Sequence, residues 1–224
     1  KKETFAGEPN GVTRSYGKIY VTNTGSRTDV FDAETYEFIT CIGTGTWGEG
    51  GYQTVHAFDV TASQGAVFIR DKRKLVVVLE QDVQPGSAAR VPIYSRSVNL
   101  QEAMGTYAVA ARNDGFLYVT AQNKNMIYLF DPADIRAGDT GFAPYLVALG
   151  FEKSPQSIAF VGDRLFVTLR VDDKRSELWE ISPKNGKLLQ DFTDSMVYPE
   201  KIAGARHTLL VVDRATQTVK AIGL

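Results

Sequence analysis

The sequence predicts an all-β fold, a β-propeller of five four-stranded blades. Three observations carry that prediction. Short runs of β-branched and aromatic residues recur at a steady period. Helical periodicity is nearly absent, and turn residues bound almost every run. The recurring unit is clearest at Gly17-Lys18-Ile19-Tyr20-Val21-Thr22-Asn23, with copies at Gly65 to Arg70, Gly115 to Thr120, Asp163 to Thr168 and, more weakly, His207 to Asp213. Aligned on Ile19, Val67, Leu117, Leu165 and Leu209, the copies stand 48, 50, 48 and 44 residues apart. A four-stranded unit with two apolar faces must pack between neighbours, and a ring of such units satisfies every one of them.

In the first repeat, Gly11 to Ser15, Lys18 to Thr22, Asp29 to Asp32 and Phe38 to Ile42 read as strands a to d. Tyr16-Gly17, Thr24-Gly25-Ser26 and Asp32-Ala33-Glu34-Thr35 supply the turns between them. In the third repeat Ile127 to Phe130 is strand c, followed by Asp131-Pro132, and one inserted helical turn is expected over Pro132 to Ala137. In the fourth, Ser182 to Lys187 is a hairpin joining Leu178 to Ile181 and Lys187 to Phe192. The fifth has strands at Lys201 to Gly204, Leu209 to Asp213 and Thr218 to Ile222, and the sequence ends at Leu224 without a strand d. Lys2 to Phe5 is expected to supply that outer strand, closing the last blade and removing an exposed edge. The whole of residues 1–224 is then a single propeller domain. Six blades, or a fragment of a larger propeller, is the alternative, because Gln81 to Met104 has room for more structure but no further copy of the repeated strand.

Composition excludes several classes. The chain is 43% hydrophobic and 23% charged, which suits a globular core. Lysine and arginine number 25 against 26 acids, a formal charge of −1, which argues against nucleic-acid binding. Cys41 is the one cysteine, so no internal disulfide can form. No run is long enough to insert this domain in a bilayer. The first residue is Lys1 rather than Met, and a leader, tag or preceding segment is expected upstream.

Tyr20-Val21-Thr22-Asn23 followed by Val30-Phe31-Asp32-Ala33-Glu34-Thr35 resembles the YVTN family of β-propeller repeats, which is related to NHL-like propellers. Leu117 to Thr120 with Leu129-Phe130-Asp131, and Leu165 to Thr168 with Trp179 to Ser182, are similar to it. The second and fifth repeats depart from it, with Arg70-Asp71 and Val212-Asp213 in place of Thr-Asn. The resemblance implies a propeller and an exported protein of the periplasm or bacterial cell surface, lipoproteins among them. It implies no active residue.

No catalytic constellation stands out. His56 and His207 are the only histidines, and neither lies beside a nucleophile in its repeat; His207 reads as a solvated turn residue. No metal-ligand spacing and no cofactor motif occurs, and Asp172-Asp173 reads as a solvated loop beside Lys174 and Arg175. Glycoside cleavage needs two carboxylates converging on the axis. The inner strands hold Asp59, with Glu200 flanking one of them.

One face does stand out. The b–c loops and the entries to strand a share a side of a propeller. Every b–c loop carries a cation: Arg27, then Arg70 with Lys72 and Arg73, then Lys124, then Arg170 with Lys174 and Arg175, then Arg214. The entries add Asn10, Gln53, His56, Gln101, Gln156 and Lys201. Such a ring favours an anionic ligand or partner. Alternatively, these are charges that simply collect in hairpin loops, diluted by Asp29, Asp71, Asp172, Asp173 and Asp213. The entry loop Gly43 to Tyr52 offers Trp47 and Tyr52 as planes for stacking on a sugar, unless Trp47 is core. The expected function is an exported, monomeric, non-enzymatic binding module that holds a carbohydrate, a small polar or anionic ligand, or a protein partner. Trp47, Tyr52, His56, Arg27, Arg70, Lys124, Arg170 and Arg214 are its candidate residues. A surface-layer or protein-interaction scaffold is the alternative, and a glycan-acting hydrolase or lyase ranks below both.

Overall fold

A computed structural model describes residues 7–43, 56–71, 75–84, 108–131 and 147–224. Its elements are strands and short 3-10 turns, arranged in five antiparallel sheets that each run up and down in chain order. The first sheet is β1 (Pro9–Ser15), β2 (Lys18–Asn23), β3 (Arg27–Asp32) and β4 (Phe38–Ile42). The second is β5 (Ala57–Ser63), β6 (Ala66–Asp71) and β7 (Leu75–Leu79). The third is β8 (Val109–Ala111), β9 (Leu117–Ala121), β10 (Met126–Phe130) and β11 (Val147–Gly150). The fourth is β12 (Ser154–Val161), β13 (Arg164–Arg170), β14 (Ser176–Ile181) and β15 (Leu188–Asp191). The fifth is β16 (Pro199–Ala205), β17 (Thr208–Asp213) and β18 (Thr218–Gly223). The chain is a five-bladed β-propeller, mostly of four-stranded blades, as the repeat predicts. The closing strand expected at Lys2 to Phe5 and the helical turn at Pro132 to Ala137 lie outside the described residues.

The chain divides into two compact units. One, Lys1–Glu102 with Pro132–Pro144, holds the first two sheets; the other, Ala103–Asp131 with Tyr145–Leu224, holds the remaining three. In each unit the first strands of consecutive sheets lie together, β1 against β5 in one, and β8, β12 and β16 in series in the other. Apolar residues fill the space between sheets. Tyr20, Val30, Ile69 and Val76 are buried in the first unit, and Tyr118, Leu165, Phe166 and Leu209 in the second. Every residue of β6 and β9 is buried, because a middle strand covered on both faces has no solvent side.

The repeated hairpin has a simple cause. Tyr16-Gly17 and Gln64-Gly65 both adopt positive φ, the left-handed pair that matches strand twist in a two-residue turn. Arg206 and His207 form the two-residue connection at the same place in the fifth sheet, where Arg206 alone takes positive φ and His207 is exposed as expected. The hairpin read at Ser182 to Lys187 is also present: the Ser182 and Gly186 amides donate to the Lys187 and Ser182 carbonyls at 2.8 Å each.

Strand boundaries differ from the sequence expectation where the chain bulges. β1 and β16 begin at Pro9 and Pro199, two residues earlier than expected, because one residue drops out of the ladder and pairing resumes beyond it. Pro9 faces Asn23 and Gly11 faces Thr22, so Asn10 is the extra residue. The same shift leaves out Phe58 in β5, Gln156 in β12 and Glu200 in β16. A bulge re-aims the side chain it carries.

Candidate functional site

The threonine of the repeat motif holds these bulges in place. In β2, β9 and β13 its hydroxyl accepts the N–H of the strand alongside: Gly11 to Thr22 at 2.9 Å, Ala108 to Thr120 at 3.1 Å, and Ser157 to Thr168 at 3.0 Å. Thr168 also donates to the carbonyl of Glu200 at 3.1 Å, so one buried hydroxyl ties the Gln156 bulge to the Glu200 bulge of the next sheet. The second and fifth sheets lack that threonine and use the following aspartate. Asp213 accepts the Val197 and Tyr198 amides at 3.0 Å each, and Asp71 accepts the His56 amide at 3.4 Å.

These two neighbouring bulges open onto a pocket of about 390 Å³ in the second unit. The third sheet contributes Gln122, from the turn after β9. The fourth contributes Gln156, Arg170 at the end of β13, and Asp173 beyond it. The fifth contributes Tyr198 just before β16, Glu200 and Lys201 at the start of that strand, and Arg214 just after β17. The pocket therefore lies on the b–c loop and strand-entry face, where the sequence puts Arg170, Arg214, Gln156 and Lys201.

Its charges are arranged in two pairs and a remainder. Arg170 donates to the Asp173 carboxylate and to the Asp172 carbonyl. Arg214 Nη1 lies 3.3 Å from Glu200 Oε1, and its guanidinium stacks on the Tyr198 ring at 5.7 Å. Tyr198 is 4% exposed, so that ring is a floor for Arg214 rather than a stacking plane. Lys201 has no carboxylate within ion-pair distance among the described residues. Gln156 is 9% exposed, and its Oε1 is buried with no hydrogen-bond donor among the described residues. That leaves the amide nitrogen as the polar end able to meet a ligand.

The other candidate residues fall elsewhere. Lys124 is exposed and closes the 3-10 turn that carries Gln122. In the first unit the expected row of loop cations is corrected at two positions. Arg27 is the first residue of β3 rather than a loop residue, because the Gly25 amide bonds Asn23 Oδ1 at 3.0 Å and tightens the connection to three residues. Its Nε approaches Asp29 Oδ1 at 2.7 Å, a charge contact rather than an aligned hydrogen bond. Arg70 is a strand residue of β6, opposite Asp59 and Leu75, and is fully buried. It occupies the threonine position of the motif, so it faces inward. Burial pushes its guanidinium down to about 10, with Asp71 acting in the opposite direction. His56 precedes β5, with its ring 5.8 Å from that of Phe58. Trp47 and Tyr52 lie outside the described residues. Among the described residues, no group of three or more His, Cys, Asp or Glu could hold a metal ion, and no helix is long and apolar enough to cross a membrane.

Sequence reasoning underrated Glu200 and passed over Tyr198, Gln122 and the pairing role of Asp173. A local signal exists for the bulges. Pro9-Asn10, Pro155-Gln156 and Pro199-Glu200 each begin thirteen residues before Thr22, Thr168 and Val212. Proline at a strand start followed by a polar residue marks the spot.

The fold and the position of this pocket define the class, a β-propeller. No family model matches the chain, and no curated protein matches it. Solved structures do. A virginiamycin B lyase from Staphylococcus aureus is similar over 98% of this chain and 71% of that one, at 12% identity and a TM-score of 0.57. A chain of the nidogen–laminin complex is similar over 98% of this chain and 77% of that one, at 16% identity and a TM-score of 0.64. At these identities the likeness supports the fold and nothing finer.

Proposed function

We propose that this chain is a non-enzymatic binding module that holds a small polar anion in the pocket of its second unit. The observation that carries the reading is Lys201, a cation without a carboxylate partner among the described residues, beside the buried amide of Gln156. A cation and an amide N–H converging on one concave site are donors awaiting an acceptor. Both lining carboxylates are engaged by arginines, Asp173 by Arg170 and Glu200 by Arg214, which favours binding over turnover. The resemblance of Tyr20 to Asn23 to YVTN-type repeats supports an exported protein of the periplasm or cell surface. A protein partner is the second reading, since the β-propeller fold is also found in a chain of the nidogen–laminin complex.

A thermal-shift screen of the full chain against neutral and anionic metabolites tests this. An anion at a hundredfold excess over its Kd should raise the midpoint by roughly 5 °C or more for a domain of this size. The shift should vanish in Lys201→Ala. If no anion shifts the native protein, or if Lys201→Ala responds equally, the small-anion reading falls and the protein partner takes its place.

A further inference from the structure

We infer that the ligand of this pocket is a hydroxylated monocarboxylate of sugar size, a uronic acid. The inference rests on the reading above and goes further in naming the chemistry. Three cations, Arg170, Lys201 and Arg214, face two carboxylates, Asp173 and Glu200, which leaves a single positive charge. A dianion such as phosphate would turn that single positive charge into a net negative one inside the pocket, which is unfavourable. One negative charge is what the site balances.

The carboxylates also define the rest of the ligand. Glu200 reaches Arg214 through Oε1, and Asp173 reaches Arg170 through Oδ1. Each keeps a second oxygen that can accept. Carboxylate oxygens take only donors, and the ligand group that supplies a donor without adding charge is a hydroxyl. Each wall therefore brings a donor and an acceptor, Gln156 with Asp173 from the fourth sheet and Lys201 with Glu200 from the fifth. A pocket of about 390 Å³ is several times larger than acetate and suits one or two sugar rings. The Glu200 end of this arrangement is held from behind by the Thr168 hydroxyl.

Isothermal titration of the full chain with D-glucuronate, D-glucose, acetate and phosphate separates the possibilities. Glucuronate should bind at least about tenfold tighter than each of the other three, the difference expected from one ion pair or one set of hydroxyl contacts. Lys201→Met should bring glucuronate down to the level of glucose. Glu200→Gln should erase the preference for glucuronate over acetate while acetate binding persists or tightens, because a charge that repels anions has gone. Asp173→Asn, at an exposed position that cannot unfold the protein, should weaken the preference in the same direction. Equal binding of glucuronate and acetate would overturn the sugar assignment and leave the anion reading standing. Tighter binding of phosphate would overturn the single-charge argument. No binding by any of the four would remove both. Tetragalacturonate, compared with galacturonate, then identifies the source: a gain points to a polymer end, and no gain to a free sugar acid.

Discussion

At the scale of single residues, the motif that marks the repeat is a fastening device. Thr22, Thr120 and Thr168 are fully buried, and each hydroxyl takes a strand N–H, two of them beside a bulge that leaves the ladder short. A buried N–H without an acceptor costs on the order of 1–3 kcal/mol, so the position is demanding. Asp213 meets the same need with a charge. Burial alone would raise its carboxyl pKa, but the amides of Val197 and Tyr198 and the Lys220 ammonium 3.4 Å away outweigh burial and hold it below the usual range. A depressed folded pKa means stability that is present above the ordinary carboxylate value of about 4 and lost as pH falls through the folded value. Asp213→Asn should therefore lower stability by about 2 kcal/mol at pH 7. The gap from the native protein should narrow as pH drops below about 4. Urea unfolding at pH 7 and pH 3 checks both, and a gap that widens in acid would contradict the assignment.

At the scale of elements, the inner strands are packed through small residues. β16 approaches β12 so closely at Gly204 that an added Cβ would stand 1.8 Å from the Phe160 carbonyl oxygen. Gly11 plays the same part in the first unit, where a Cβ would meet Asp59. Gly204→Ala must push β16 away from β12, and backbone has little room to yield. We expect a loss of about 3 kcal/mol, at the upper end for overpacking. Displacement of Glu200 and Lys201 on the same strand should weaken anion binding at the same time. Denaturant unfolding and titration of the folded variant check the two effects. Stability unchanged within error would mean that the sheets are not held this tightly.

At the scale of the molecule, the net charge is −1, so the proposed anion binding would draw on the pocket's own groups rather than on a net positive charge. One local ion pair screens weakly. Raising sodium chloride from 0.05 to about 0.5 M should weaken anion binding by a few-fold only, whereas a broad cationic face would lose far more. A loss of a hundredfold or more would restore the wide ring of cations that the first unit's Arg27 and Arg70 do not form.

The repeat was legible because β-branched runs, turn pairs and spacing are local properties of the chain, and they set the strands, the hairpins and the count of five blades. The loop face was legible in part for the same reason, since Arg170, Arg214, Gln156 and Lys201 follow the strand pattern. Local pattern does not say which side chain a fold will bury or pair. Arg70 looked like a loop cation, yet its ladder position turned it into the sheet. Arg214 looked free, yet Glu200 and Tyr198 of the adjoining strand hold it. The sequence by itself determined that this chain builds a propeller and on which face polar groups collect. Only the tertiary structure decided that the Gln156 and Glu200 bulges of adjacent sheets meet, leaving Lys201 as the cation to be matched, because sheet packing brings together residues 32 positions apart, Thr168 and Glu200, and 45 apart, Ser157 and Ile202.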